Sequence, residues 1–278
     1  MFEPGWLEMI TPDLKRIGPV QSRQVALITR CVDFIDRQIP DNRPLWEACR
    51  WGADCWRADR GELPKRMSAR IPYIGPSYPS ERVAVVAINS RDERRAGDEI
   101  EATARVVEWL TQGHLDYGHR SFFHYRVASV VHAAIRSSSG ETVDEMPDPD
   151  VAATALASSA RLQAVQCSPQ SSSRRSPTGA MKRHCPEFLL RGQLEILAPR
   201  LLILLGAPAH RAIDAPTKLE VAWHTRWAES ERCFSRGQTQ FQGQTTTVLA
   251  FHHPSYTGWA RSWRAFLASL RDDPLSRG

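Results

Sequence analysis

Leu201-Leu-Ile-Leu-Leu-Gly206 is five apolar residues closed by a glycine, and the stretch before it, Met181 to Leu197, carries helical spacing. An unbroken apolar run of this length, rather than an alternating one, is what a strand buried on both faces requires. Working outward, three more runs have strand length and turn signals at their ends: Arg82 to Ile88, Arg161 to Gln166 and Thr246 to Phe251. Helical patterns at Ile100 to Leu110, Phe123 to Ile135 and Met181 to Leu197 separate them. Strands alternating with helices argue for a parallel sheet covered on both sides. The expected fold is therefore α/β, a three-layer α/β/α sandwich with a central four-stranded parallel sheet.

Ahead of this pattern, Val25, Ile28, Val32, Ile35 and Ile39 recur at three- and four-residue spacing, predicting an amphipathic helix over Gln21 to Ile39. A second helical stretch is expected from Trp46 to Trp56. Residues 1–75 thus read as a helical N-terminal extension, and 76–278 as the α/β/α domain.

A chain of 278 residues with 42% hydrophobic composition is long enough for one large domain with additions. It contains no run of 18 apolar residues, and Met1 to Val20 lacks the charged-then-apolar pattern of a signal peptide. A cytoplasmic monomer with no membrane partner is expected. The formal net charge of +5 suits a polyanionic partner. In an intracellular chain six cysteines are tested first as metal ligands, not as disulfides.

Open parallel sheets bind ligands beyond the carboxyl ends of their strands. Those ends carry Asn89-Ser-Arg91, Cys167-Ser-Pro169, Gly206-Ala-Pro208 and His252-His-Pro-Ser255. Two connecting segments are polar. Ser137 to Asp150 reads as a solvated loop, and Ser171 to Ser176 leads into Pro177, a suitable first helical residue. Arg174 and Arg175 in the second segment are either phosphate contacts or plain surface.

The series Gln163-Ala-Val-Gln-Cys-Ser-Pro169, Arg175-Ser-Pro-Thr178, Cys185-Pro-Glu-Phe-Leu189 and Leu194 to Gly206, joined by His253-Pro-Ser255, is similar to the iron-sulfur enzymes of the uracil-DNA glycosylase superfamily. The resemblance spans roughly Arg82 to Trp263. Ala87-Ile-Asn-Ser-Arg91 stands where the mismatch-specific members have Gly-Ile-Asn-Pro-Gly, and only its Ile-Asn pair survives.

The resemblance implies an enzyme that flips a deaminated base, uracil foremost, out of DNA and hydrolyses its bond to the sugar in base excision repair. Cleaving that bond develops positive charge on the sugar and negative charge on the base, so the site must stabilise both. By resemblance, Asn89 positions the attacking water and His253 donates a hydrogen bond to a base carbonyl. Ser255 belongs to the same motif as His253. Asn89 has an alternative as a turn residue, and Asp92 or Glu93 then offers a carboxylate base.

Phe122 and Phe123 resemble the stacking platform for the base, with core packing as the alternative. Gln163 stands where relatives carry an Asn that reads the uracil edge. Tyr256 and Trp259 fall where the superfamily has a loop that wedges into the duplex, or else they pack under the final helix.

Cys167 and Cys185, with seventeen residues between them, match one cysteine pair of the iron-sulfur enzymes, and Cys49 with Cys55 supplies the other. The resemblance implies a structural [4Fe–4S] cluster, although four thiolates also suit zinc. Cys31 and Cys233 read as ordinary buried thiols. Two alternatives stand beside uracil excision: a glycosylase for hypoxanthine or xanthine, and a noncatalytic DNA-binding protein that keeps the fold.

Overall fold

The computed structural model describes residues 5–39, 45–57, 69–88, 98–114, 120–166, 177, 179–214, 220–225, 234–254 and 258–275. The chain begins with helices α1 (Trp6–Ile17), α2 (Ser22–Gln38), α3 (Leu45–Ala48) and α4 (Gly52–Arg57). Strand β1 (Tyr73–Ile74), helix α5 (Tyr78–Glu81) and strand β2 (Val83–Ala87) follow, and then α6 (Asp98–Thr111), α7 (Arg120–Ser138), α8 (Pro149–Ser158) and β3 (Ala160–Gln163). Next come α9 (Gly179–Cys185), a π-helical turn (Pro186–Leu190), α10 (Arg191–Leu197), β4 (Leu201–Leu205) and α11 (Ala207–Asp214). Strands β5 (Ala222–Thr225), β6 (Phe234–Phe241) and β7 (Gln244–Phe251) precede the last helix, α12 (Trp259–Asp272).

The sheet order is β1-β3-β2-β4-β7-β6-β5. Its centre, β3-β2-β4-β7, is parallel throughout. These are the four strands expected from the apolar runs, and the fold is the anticipated α/β sandwich. β4 shows why its run is unbroken. Leu202 and Leu204 pack with α1, α2 and α10, while Leu201, Ile203 and Leu205 pack on the other side with α6, α7, α8 and α12. All five are buried, because each face of the central sheet carries its own helical layer.

Three antiparallel strands extend this centre. β1 pairs with β3, β6 with β7, and β5 with β6. The β6–β7 hairpin turns at Gln242 and Gly243, whose φ angles of 51° and 74° are the left-handed pair that a two-residue turn requires. The expected domain start at residue 76 falls just after β1, which is hydrogen-bonded into the sheet. Ile10 and Leu14 of α1 and Ile28, Cys31 and Val32 of α2 share one core with Ala84, Leu162 and Leu202.

The helix expected over Met181 to Leu197 is interrupted by its π-helical turn. Pro186 has no N–H to donate, and the Arg191 N–H bonds back to the Pro186 carbonyl. The stretch from Trp46 to Trp56 is two short helices, α3 and α4, and not one. Pro177 lies ahead of α9 and outside it. No helix among the described residues is long and apolar enough to cross a membrane.

Candidate active site

The carboxyl ends of the parallel strands meet on one edge of the sheet. Gly206 closes β4 with φ 89°, a left-handed value that favours glycine, and its N–H bonds to the Phe251 carbonyl at 2.8 Å. Backbone pairing of the β2 and β3 segments continues past the strands, with Val165 N–H bonded to the Ile88 carbonyl at 2.8 Å. Asn89, the next residue after Ile88, lies outside the described residues, as do Ser255, Tyr256, Arg174, Arg175 and Cys167. The same holds for the alternative carboxylates Asp92 and Glu93 and for Cys233.

His253 follows β7 and is exposed at this edge. Its ring stacks on Phe123 of α7, with centroids 5.1 Å apart and planes 29° from parallel. Phe123 is half-buried, and its own inner contact is with the core under the sheet. The structure therefore makes Phe123 a partner of His253. Phe122 precedes it on α7, and its side chain is outside the described set.

Three residues after Phe123, on the same side of α7, Arg126 donates a hydrogen bond from Nη1 to the Pro254 carbonyl. Its guanidinium also lies 5.8 Å from the centre of the Trp259 ring. Burial lowers the Arg126 pKa, as expected for a cation drawn partly out of water. Phe123 and Arg126 thus hold the segment His253-Pro254 from one helical face.

The reading of Trp259 as a duplex wedge is corrected. Its side chain is 3% exposed and packs with Phe251 and Trp263 in the core beneath α12. A helix with so strong an apolar stripe buries the large ring at its first position instead of presenting it.

Gln163, at the end of β3, is 4% exposed. Leu162 and Ala164 face the α1/α2 layer, so alternation turns Gln163 to the opposite face, the one that Phe251 and Phe123 share. Its Nε2 donates to Glu99 Oε2 of α6 at 2.8 Å, while its Oε1 is buried with no hydrogen-bond partner. Arg161 Nη2 lies 3.3 Å from Glu99 Oε1, too poorly aligned for a hydrogen bond, and Arg161 Nη1 donates to Thr103 Oγ1 at 2.9 Å. Gln163 and His253 are three strand positions apart, about 14 Å by the usual inter-strand spacing. Two side-chain arms and a nucleobase ring fit that span.

Behind the β2 and β3 ends lies a second group. Cys49, Cys55 and Cys185 join one apolar cluster with Ile35, Val165, Met181 and Ile88. All three are thiols, as is the fully buried Cys31 of α2. Burial raises the Cys49 pKa, and the nearby Cys185 adds to the shift. Cys55 is pushed up to about 12 by burial and then by Cys49 and Cys185. Cys185 Sγ accepts a hydrogen bond from Gln166 N–H at 3.0 Å, one residue before Cys167.

This set of soft donors, in which Cys49 senses Cys185 and Cys55 senses both, suits a thiolate-bound cofactor in type. Among the described residues, no group of three or more His, Cys, Asp or Glu side chains is arranged to hold a metal ion. The fit is therefore one of donor chemistry, not of coordination geometry.

Glu99, Arg161 and Arg126 escaped the sequence reading. An acid in the first turn of a helix ordinarily reads as a partner of the helix dipole, and nothing in the sequence pairs Glu99 with Gln163. Arg126 did have a local signal, its three-residue spacing from Phe123.

No curated protein matches the chain. Residues 136–272, from the end of α7 to the end of α12, match the family model of the uracil DNA glycosylase superfamily, and this stretch, which holds three of the four parallel strands and His253, is similar to that superfamily.

Proposed function

We propose that this protein is a monofunctional DNA glycosylase of base excision repair that hydrolyses the N-glycosidic bond of a deaminated base, uracil before hypoxanthine or xanthine. The similarity of residues 136–272 to the uracil DNA glycosylase superfamily supports a glycosylase-type hydrolase acting on DNA. The observation that carries the reading is His253, exposed at the carboxyl edge of the sheet, stacked on Phe123 and followed by a carbonyl that Arg126 holds.

In the reaction the bond from the sugar C1′ to the base nitrogen breaks, the electron pair leaves with the base, water adds at C1′, and the proton that the water loses ends on the departed base by way of solvent. An imidazole N–H of His253 bonds to the base carbonyl where that negative charge collects. A preorganised donor of this kind is worth roughly a hundred- to a thousandfold in rate. Asn89, by its place after β2, orients the water through its amide. Ser255, Tyr256, Arg174 and Arg175 are assigned to base and strand contacts by their positions in the motifs.

Cys49, Cys55, Cys167 and Cys185 are the residues that would hold a [4Fe–4S] cluster. When bound, the group would supply a structural tie among α4, α9 and the end of β3. The chain's own residues carry the hydrolysis.

The test is base release from oligonucleotides bearing one uracil, hypoxanthine or xanthine, with the wild type beside His253→Ala. Uracil release that drops about a hundredfold or more in the variant is expected. Release unchanged in the variant would remove His253 from the mechanism, and binding with no release of any base would make the protein a noncatalytic DNA-binding one.

A further inference from the structure

Gln163 Oε1 is an unsatisfied polar atom at the sheet edge. It is buried, it has no hydrogen-bond partner, and it belongs to a side chain that is otherwise held firmly. A buried acceptor left unmade is costly, and native proteins keep such atoms chiefly where a ligand or water completes them.

Glu99 dictates which end of the Gln163 amide is left over. A carboxylate paired with a guanidinium accepts hydrogen bonds and cannot donate them. Glu99 is 1% exposed and sits beside Arg161, so whatever reaches its Oε2 must be a donor. The amide must therefore turn Nε2 toward Glu99, which leaves the carbonyl oxygen for the other side. Gln166 reinforces this arrangement from below: its Nε2 donates to the Gln163 backbone carbonyl at 2.7 Å and to Gln193 Oε1 at 3.2 Å, and its Oε1 accepts from Arg70 N–H at 3.1 Å.

We propose that Glu99 is a positioning residue that locks the Gln163 amide with its oxygen toward the base, making the site selective for a base that presents a ring N–H donor. This rests on the glycosylase reading and sharpens it. Bases with a lactam N–H, uracil among them, meet the requirement, and a base whose ring nitrogen carries a methyl group does not.

The test reads binding, not turnover. Two oligonucleotides carry 2′-fluoro-2′-deoxyuridine, whose electron-withdrawing fluorine disfavours cationic character at C1′, and one of the two is also methylated at N3. The wild type should bind the unmethylated oligonucleotide about tenfold or more tightly than the methylated one. Glu99→Gln lets the amide pair in either sense, and the preference should fall to about threefold or less. Glu99→Asp keeps the charge beside Arg161 but withdraws from Gln163, and should give a value between the two. A merely structural role for Glu99 would weaken both oligonucleotides equally and leave the ratio unchanged.

A folded Glu99→Gln or Glu99→Asp with the wild-type ratio would overturn the proposal, as would a wild type with no preference. A preference that depends on Glu99 in a protein releasing no base would sustain the proposal while removing the hydrolytic function. Base release with no effect of Glu99 on the ratio would do the reverse.

Discussion

Replacing Arg126 with alanine tests whether the segment bearing His253 is held by α7. Two interactions disappear. The hydrogen bond from the guanidinium to the Pro254 carbonyl has a charged donor, a type that contributes about 1.5–3 kcal/mol. The guanidinium also leaves the face of Trp259, where such contacts contribute about 0.5–2 kcal/mol. Only the first acts on the placement of His253, and if it is spent wholly in the transition state it corresponds to roughly a 10- to 150-fold loss of rate. The second enters global stability, because Trp259 belongs to the α12 core. Single-turnover release of uracil, measured beside thermal unfolding, separates the two. Arg126→Lys retains charge but not the planar fork, and should recover only part of the rate. An Arg126→Ala protein with wild-type single-turnover rate would refute the argument that this contact positions His253.

Protein purified under anaerobic conditions should contain iron and acid-labile sulfide, and Cys185→Ala should lose both. Metal analysis checks this, and zinc without sulfide, or no metal at all, would count against a cluster. His132 gives a pH dependence: burial and then Arg136 lower its pKa against an opposing effect of Glu141. The folded state therefore favours the neutral ring, and the unfolded chain takes up the proton first as pH falls through about 6.5. Stability should drop below that pH, and His132→Gln should drop less; equal pH profiles in thermal unfolding would contradict this.

The sequence alone determined the central sheet, because a strand buried on both faces has to be apolar at every position, as Leu201 to Leu205 is. It also placed His253 at a strand end, since the chain order of strands and helices fixes which residues follow each strand. The hairpin turn at Gln242-Gly243 carries a readable signal between alternating residues. Tertiary structure decided the rest. Phe251, Trp263 and Arg126 surround the Trp259 ring, and no local pattern reveals whether an aromatic residue at a helix start faces core or solvent. Glu99 meets Gln163 across 64 residues, and Cys49, in the turn between α3 and α4, senses Cys185 at the end of α9. Such pairings arise where separate elements pack together, so hydrophobic periodicity, which reports only how one element faces its core, cannot contain them.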